Sequence, residues 1–589
     1  MHTFWGTYYI LTWAETLFVI FPKAFLGPQL ADEWKCKSTF FRLVVNYQQF
    51  NPFVWAYKGL KKIMCKYSLS KPETTKQVLA RKKTSKLISC INQQSIASKV
   101  SRKRILLKLA FFAIFSFIIL LWLSPDSWLS HLCGPRFDPA WFFTAGRAWM
   151  EGLVPYVDFA DSKGPVLWLI YGIGYLVSPT TYIGVFWQSV VYFTFSFYFV
   201  WLTARLFVNR REALLVIFLL PGMLFFRAYI IETRAEDFTF PWLFLNLYVT
   251  CRCLIKSPSI HACTTTFIRK GAFWMGFGMM FCLLIKWNIF FMMGGMALLV
   301  AGVSIIRKSL DGIVFGLLGM GVMALPFVIY FLLTGNFDAF IKEYFVNTYL
   351  ITDTNTTTEM FSNFFSSLFA SKLDILKNVV LVLPFLGIYA FCRRFYVSYW
   401  LIFAYVPFYF FLAFKAPFFH YCCTAVPFYI FLLLVLVHSI SPLLSAVPRR
   451  AFISILAVIF IATMGLCGIN TNLWFKPNKD KQEWYAIQKI MMRKEKPKFM
   501  FSGIDMGQGL LSRAVPACKY WALQSGANSD MIAERMNAIR ARKPDFIVIT
   551  QRSSTDFIPF IERCGYRQCY GVVIENGKVV TRALPLYAR

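Results

Sequence analysis

From residue 106 to residue 468 the chain is a succession of apolar blocks parted by short polar turns. A helix needs about 20 apolar residues to cross a bilayer, and the block at 106–124 is the first to approach that length. Further blocks fall near 181–205, 213–228, 238–255, 271–285, 289–306, 312–333, 376–392, 398–413, 421–442 and 451–468. Together they predict about eleven transmembrane helices. The block at 166–178 is too short to cross and reads as an interfacial helix. A long loop of aromatic and polar residues, 125–165, separates it from the first span. Beyond residue 469 the pattern changes to short mixed runs. Phe499 to Ser502 and Phe546 to Thr550 read as buried strands, and Met531 to Ala541 as a helix. Val572 to Ile574 and Val579 to Thr581 flank Glu575-Asn576-Gly577-Lys578, a hairpin signal. The expectation is an α-helical polytopic membrane protein with a small α/β domain at its carboxy terminus. Its parts are a basic region (1–105), a transmembrane domain (106–469) and the α/β domain (470–589).

Composition agrees with the pattern. Of 589 residues, 57% are hydrophobic and only 15% charged, whereas soluble proteins carry about 25% charged residues. With 64 Phe and 18 Trp the chain is too apolar to be disordered. The net charge of +33 first suggests nucleic acid. Its distribution points elsewhere, because residues 1–108 alone hold 19 basic and 4 acidic side chains. Nothing there interleaves aromatic with base-reading side chains, so this region reads as a cytoplasmic tail against anionic lipid, with no nucleic-acid partner. The bilayer is the expected partner. Residues 4–27 are apolar but interrupted by Glu15 and Lys23, and whether they cross stays open.

Charge also orients the spans. Arg210-Arg211, Lys256 to Lys270, Arg307-Lys308, Arg393-Arg394 and Arg449-Arg450 all fall on one side. Between residues 109 and 469 that side carries 13 basic and 2 acidic residues, against 10 and 13 on the other. By the positive-inside rule the first side is cytoplasmic. The α/β domain is then extracytoplasmic, and a bacterial inner membrane is the expected location. The 15 Cys form no metal-ligand spacing and read mainly as small buried hydrophobes. In an oxidising compartment, Cys518, Cys564 and Cys569 could supply one bridge.

Candidate chemistry concentrates on the external side. The loop 125–165 contains Phe137-Asp138-Pro139-Ala140-Trp141-Phe142 and Gly146-Arg147-Ala148-Trp149-Met150-Glu151-Gly152. It ends in Val154-Pro155-Tyr156-Val157-Asp158-Phe159-Ala160-Asp161-Ser162-Lys163-Gly164-Pro165. A carboxylate at the external interface, Asp138, can act as a general base. Lys163, ahead of a short apolar helix, can hold a phosphate at headgroup level. Other external turns carry Glu232 and Arg234, then Lys286-Trp287-Asn288, then Lys415 and His420-Tyr421. Charges this close to hydrocarbon are costly and usually functional, although Lys286 and Lys415 could equally snorkel to headgroups. Lys163, Arg234, Lys286 and His420 on one membrane side would suit a lipid monophosphate or pyrophosphate. Tyr156, Asp158, Asp161, Glu232 and Lys415 are candidates for support or acceptor contact.

These residues, in this order and with this sidedness, resemble the GT-C superfamily of polytopic glycosyltransferases. The likeness is to bacterial members of the protein O-mannosyltransferase and aminoarabinose-transferase group. It rests on Asp138, Gly152-Leu153-Val154-Pro155-Tyr156-Val157-Asp158, Asp161-Ser162-Lys163-Gly164-Pro165, Lys286-Trp287-Asn288 and His420-Tyr421, and spans about residues 105–470. It implies a GT-C-like fold and transfer of a sugar from a polyprenyl-phosphate donor to a glycan, lipid or protein acceptor on the external face. It further implies Asp138 as catalytic base and Lys163 as the donor-phosphate ligand. The family's Glu-Lys-Pro-Pro element is altered here, with Ser162 for Glu and Gly164 for the first Pro. Asp161 could supply the carboxylate one position earlier, which leaves open a divalent metal as cofactor. A polysaccharide ligase and a lipid or sugar transporter are the alternatives. The 334–375 loop, with Thr354-Asn355-Thr356-Thr357-Thr358, keeps the ligase open, whereas charges at span ends and the lack of a repeat disfavour the transporter.

Overall fold

The computed structural model describes residues 102–127, 137–224, 235–255, 264–348, 372–415, 425–467, 482–523, 528–550, 557–575 and 578–589. Glu232, Arg234 and His420 lie outside them, as do the Thr-rich segment of the 334–375 loop and the basic region up to residue 101. The described residues belong to one compact unit.

The chain runs from α1 (Arg102–Leu123) through α2 (Phe137–Met150) and α3 (Pro165–Val177) into a helical bundle. The bundle continues with α4 (Ile183–Ala204), α5 (Arg210–Leu224), α6 (Phe240–Leu254), α7 (Thr265–Leu283), α8 (Trp287–Ile306) and α9 (Asp311–Leu333). A short α10 (Phe337–Phe340) widens into a π-helical segment at Ile341–Asn347. Then come α11 (Lys372–Phe395), α12 (Ile402–Lys415), α13 (Val426–Ser439), α14 (Ser441–Ala446) and α15 (Arg449–Cys467). Each apolar block expected to span overlaps one of these helices. Among the described residues, five helices are long and apolar enough to cross a membrane: α1 from Ile105, α4, α8, α9 and α15. The others are shorter or less apolar. The outward residues of the five are those lipid would cover; Leu317, Leu332 and Leu333 of α9 are all exposed. The block at 166–178 forms α3, which starts with Pro165 in the first turn, where a missing N–H costs nothing.

The stretch 125–165, expected as a loop, holds the helix α2 instead. The apolar spacing was present in Trp141, Phe142, Ala145 and Ala148, all buried. Asp138 in its first turn and Arg147 in its last complement the helix dipole. Gly146 obscured the pattern, because glycine is a poor helix former. A Cβ at Gly146 would lie 2.5 Å from the Gly172 nitrogen and 2.7 Å from the Trp168 oxygen. Gly146 is therefore the point at which α2 and α3 cross with their backbones nearly touching.

Residues 482–589 build a five-stranded sheet of order β2-β1-β3-β5-β4. Its strands are β1 (Lys498–Phe501), β2 (Val515–Pro516), β3 (Phe546–Val548), β4 (Arg567–Glu575) and β5 (Lys578–Ala588). β1 runs parallel to β2 and β3; β5 is antiparallel to β3 and β4. The strands and hairpin expected from the sequence occur at those positions. The expected helix is α17 (Ser529–Arg540), which follows α16 (Gln482–Met491) and precedes α18 (Phe557–Arg563). Asn528 caps α17 by accepting from the Met531 N–H at 2.9 Å.

The sheet has two buried faces. On one, Met500, Ile547 and Tyr587 pack with Ala538 and Ile539 of α17 and with Ile561 of α18. On the other, Phe499, Phe501, Phe546, Val548, Leu584 and Leu586 join Trp484 and Ile487 of α16. That second core runs on without a break into Trp141, Phe142, Tyr156 and Trp168, and then Ile285, Phe331 and Tyr344. The sheet is thus fused to α2 and α3 through shared apolar packing. Cys518, Cys564 and Cys569 are free thiols, not the one bridge expected. Cys518 and Cys564 border the first of these cores and Cys569 the second. Burial pushes the Cys518 thiol up to about 11.

Candidate active site

Asp138 is exposed on the first turn of α2. Phe142 follows it by one helical turn, so the two share a face. The Lys163 Nζ lies 5.9 Å from the Phe142 ring centroid, within cation–π range. Lys163 thus packs beside Phe142, which lies one turn along α2 from Asp138.

Lys163 stands in a tightly fixed loop. Tyr156, with φ +66°, is buried against Trp168, Phe331 and Phe340, its ring centroid 4.7, 5.7 and 5.3 Å from theirs. Its hydroxyl donates to the Lys163 carbonyl at 3.1 Å. Burial pushes that hydroxyl's pKa well up, with the charges of Tyr344, Asp161 and Glu343 adding to it, so it remains a donor at neutral pH. Asp161 is buried and accepts from its neighbour's Ser162 N–H at 2.5 Å and Oγ at 3.2 Å. Lys163 Nζ in turn donates to Ser162 Oγ at 2.9 Å. Asp158 is exposed and closes the preceding turn by accepting from the Val154 N–H at 2.7 Å.

The loop is also stitched to the turn between α7 and α8. Gly164 N–H donates to the Ile285 carbonyl and Val166 N–H to that of Leu284, each at 3.0 Å. Tyr344 Oη donates to the Leu283 carbonyl just before it. A Cβ at Gly164 would fall 2.1 Å from the Leu284 oxygen. Proline at position 164 would lose the donor as well. Gly164→Ala is expected to cost about 3 kcal/mol, the upper range for forcing an extra methyl into a packed site. A melt of the purified protein in detergent measures this; an unchanged melting temperature would mean the two backbones are not in contact.

Lys286 sits immediately before α8, beside this stitch. Its Nζ lies 2.5 Å from Glu236 Oε1, and both side chains are largely buried, at 13% and 5% exposure. Its positive charge is thus balanced within the protein, which fits neither bare snorkelling nor a cation held ready for phosphate alone. Glu236 precedes a 3-10 turn, Asp237–Thr239, and its carbonyl accepts from Thr239 N–H and Oγ1. Lys415 ends α12.

Sequence reasoning gave no role to Glu236, two residues beyond Arg234. It also passed over Glu343, which is buried where the sheet meets the bundle. Glu343 accepts from Lys519 Nζ at 2.6 Å, from Tyr520 Oη at 3.1 Å and from Asn347 Nδ2 at 2.9 Å. No local signal could have paired residues so far apart in the chain. A third missed group joins α2 to the sheet. Arg147 and Asp505 are both completely buried. Arg147 Nη1 donates to the Gly509 carbonyl at 2.9 Å, and Asp505 Oδ2 accepts from Thr144 Oγ1 at 2.6 Å.

For a metal, the described residues do not fit. No three His, Cys, Asp or Glu side chains among them could hold one together. Asp161, the expected ligand, already accepts two hydrogen bonds from Ser162.

A helical bundle with α2 and α3 at one end and a mixed sheet packed on them is a fold this chain shares with solved structures. The crystal structure of ArnT from Cupriavidus metallidurans bound to undecaprenyl phosphate matches with a TM-score of 0.52 at 12% identity, covering 82% of this chain and 98% of that one. ArnT in the apo state matches with a TM-score of 0.51 at 12% identity, with the same coverage. The Archaeoglobus fulgidus oligosaccharyltransferase in complex with Zn and sulfate gives 0.42 at 14% identity, over 80% of this chain and 72% of that one. No protein-family model and no curated protein matches the chain.

Proposed function

We propose that the protein is a membrane glycosyltransferase that moves a sugar from a polyprenyl-phosphate donor to a glycan, lipid or protein acceptor on the external face of a bacterial inner membrane. The observation that carries this reading is the fixed Asp161-Ser162-Lys163 loop, whose cation packs on Phe142, one helical turn from the exposed Asp138. The likeness of fold to an ArnT crystallised with undecaprenyl phosphate supports it.

Asp138 takes the proton of an acceptor hydroxyl. The hydroxyl oxygen forms a bond to the anomeric carbon, and the bond from that carbon to the donor phosphate oxygen breaks. The phosphate leaves with the electron pair as polyprenyl phosphate. A phosphate leaving group needs positive charge more than it needs a proton. Lys163 supplies that charge, with Arg234 and His420 as further candidates. Lys286 contributes by orientation, because Glu236 already balances it. Tyr156 fixes the Lys163 backbone, and Asp158 and Asp161 shape the turns on either side. Glu232 and Lys415 are candidates for acceptor contact.

The test is transfer of label from a panel of radiolabelled polyprenyl-phosphate sugars in membranes holding the protein. Lys163→Ala is expected to weaken binding of undecaprenyl phosphate by about ten- to a hundredfold, the value of one charge-assisted hydrogen bond. Transfer from a diphosphate-linked glycan and from no monophosphate donor would replace this reading with the ligase.

A further inference from the structure

We infer that the carboxy-terminal sheet domain is a working part of the donor site, through a latch formed by Lys519, Tyr520 and Glu343 that positions the Lys163 loop. The inference rests on the proposed role of Lys163 as the donor-phosphate ligand.

The latch has a backbone arm and a side-chain arm. In the backbone arm, the Ala160 N–H donates to the Lys519 carbonyl at 2.9 Å. Ala160 also packs with Tyr520 and Met531 in a small buried cluster of its own. This ties the residue just before Asp161 to the segment leading out of β2. In the side-chain arm, the same Lys519 and Tyr520 reach the opposite way. Lys519 Nζ lies 2.6 Å from Glu343 Oε1, and Tyr520 Oη lies 3.1 Å from both oxygens of that carboxylate. Asn347 Nδ2 adds a third donor at 2.9 Å. Glu343 follows α10, whose Phe340 stacks on Phe331 at 4.6 Å and packs against Tyr156 at 5.3 Å. The two arms therefore close a ring. Tyr156 holds the Lys163 carbonyl, Ala160 is held by Lys519, and Lys519 is held by the segment that packs on Tyr156.

The chemistry of Glu343 argues against a merely decorative contact. A carboxylate buried to 4% side-chain exposure is costly unless paired and hydrogen-bonded. Glu343 has both a cation and neutral donors, and they come from two segments distant in the chain. Removing one donor leaves the charge partly unsatisfied and frees one side of the ring. Lys519 and Glu343 touch neither the Lys163 side chain nor Asp138 among the contacts seen here. They act by position, so their loss should appear in donor affinity and loop mobility before it appears in overall folding.

The test uses the full-length protein in detergent micelles, with undecaprenyl phosphate as the probe and intrinsic tryptophan fluorescence as the readout. Lys519→Ala and Glu343→Gln are each expected to weaken binding about tenfold, the scale of one lost charge-assisted bond. Amide exchange should rise in the 156–164 peptide. The charge-swapped pair Lys519→Glu with Glu343→Lys should recover part of the affinity, which a purely structural loss would not. Tyr520→Phe removes only a hydroxyl and serves if the charge variants misfold; it should weaken binding by a smaller factor and still speed exchange at 156–164. Folded Lys519 and Tyr520 variants with wild-type affinity and wild-type exchange at 156–164 would overturn the latch. Lys163→Ala separates the two claims. If that variant binds the probe normally, the donor-site reading itself fails; if it loses binding while the latch variants keep theirs, only the latch falls.

Discussion

Asp138→Asn is expected to abolish sugar transfer and leave the protein folded. A positioned general base contributes about 10²–10⁴-fold to rate, and asparagine keeps the shape of the side chain while removing the proton acceptor. The residue is exposed, and surface substitutions away from special contacts usually change stability by no more than about 0.5 kcal/mol. The melting temperature should therefore stay at the wild-type value while the label-transfer rate falls below detection. Undecaprenyl phosphate binding should persist, because the Lys163 loop is untouched. Full transfer by this variant would move the base elsewhere. Asp161 is the poorer substitute, since it is buried and its Oδ1 already accepts two hydrogen bonds from Ser162.

Arg147→Ala is expected to be the most destabilising single change at the junction of α2 and the sheet. The guanidinium is completely buried, and Nη1 donates to the Gly509 and Leu510 carbonyls at 2.9 and 3.4 Å. Asp505 is equally buried and accepts from Thr144 Oγ1, the Gly507 N–H and Trp521 Nε1. Removing one member of such a buried charged group costs about 3–5 kcal/mol, because the remaining charge has lost its compensation. The cost should depend on pH in a definite direction. Burial raises the Asp505 pKa, while its hydrogen bonds and the Arg147 charge lower it only in part. A raised carboxyl favours folding below its ordinary value near 4, and that stability is lost as pH rises through the raised folded value. Without Arg147 the rise is larger, so Asp505 takes up a proton more readily. The Arg147→Ala penalty should therefore be smaller near pH 5 than near pH 8. Thermal melts at the two pH values measure this, and a penalty that grows in acid would contradict the assignment. Arg147 itself, brought down to about 10 by burial, stays charged across that range.

The helices were legible wherever burial in lipid and burial in protein demand the same thing, a long apolar run. Thus α1, α4, α8 and α9 could be placed from hydropathy alone. The helix α2 could not, because it answers to protein contacts on almost every side. It carries Asp138, Thr144 and Arg147 for polar reasons and Gly146 for a steric one, and together these make a helix look like a loop. The strands β1 and β3 were legible because Phe499–Phe501 and Phe546–Val548 are unbroken apolar runs buried on both faces. What the sheet packs against was not legible: the apolar side chains of Phe499 and Leu586 specify a core without specifying whose. Of the proposed site, the local pieces Asp138 and the Asp161–Lys163 loop could be picked out from the sequence. The pairings of Lys286 with Glu236 and of Lys519 with Glu343 are relations across the fold. Sequence showed at most one partner of each as a charge of uncertain purpose.

Gly164 carries a lesson about exchangeable parts. The residue allowed at that position is set by the Leu284 and Ile285 carbonyls on another segment. Two stretches of chain thus share one constraint, and neither can drift without the other. A pattern that seeks proline after the lysine would read past this protein, whereas one that seeks the backbone pairing would find it. The same holds for grafting. A chimera that exchanges residues 156–166 alone imports half of a join, while one that carries residues 281–288 as well moves an intact cassette.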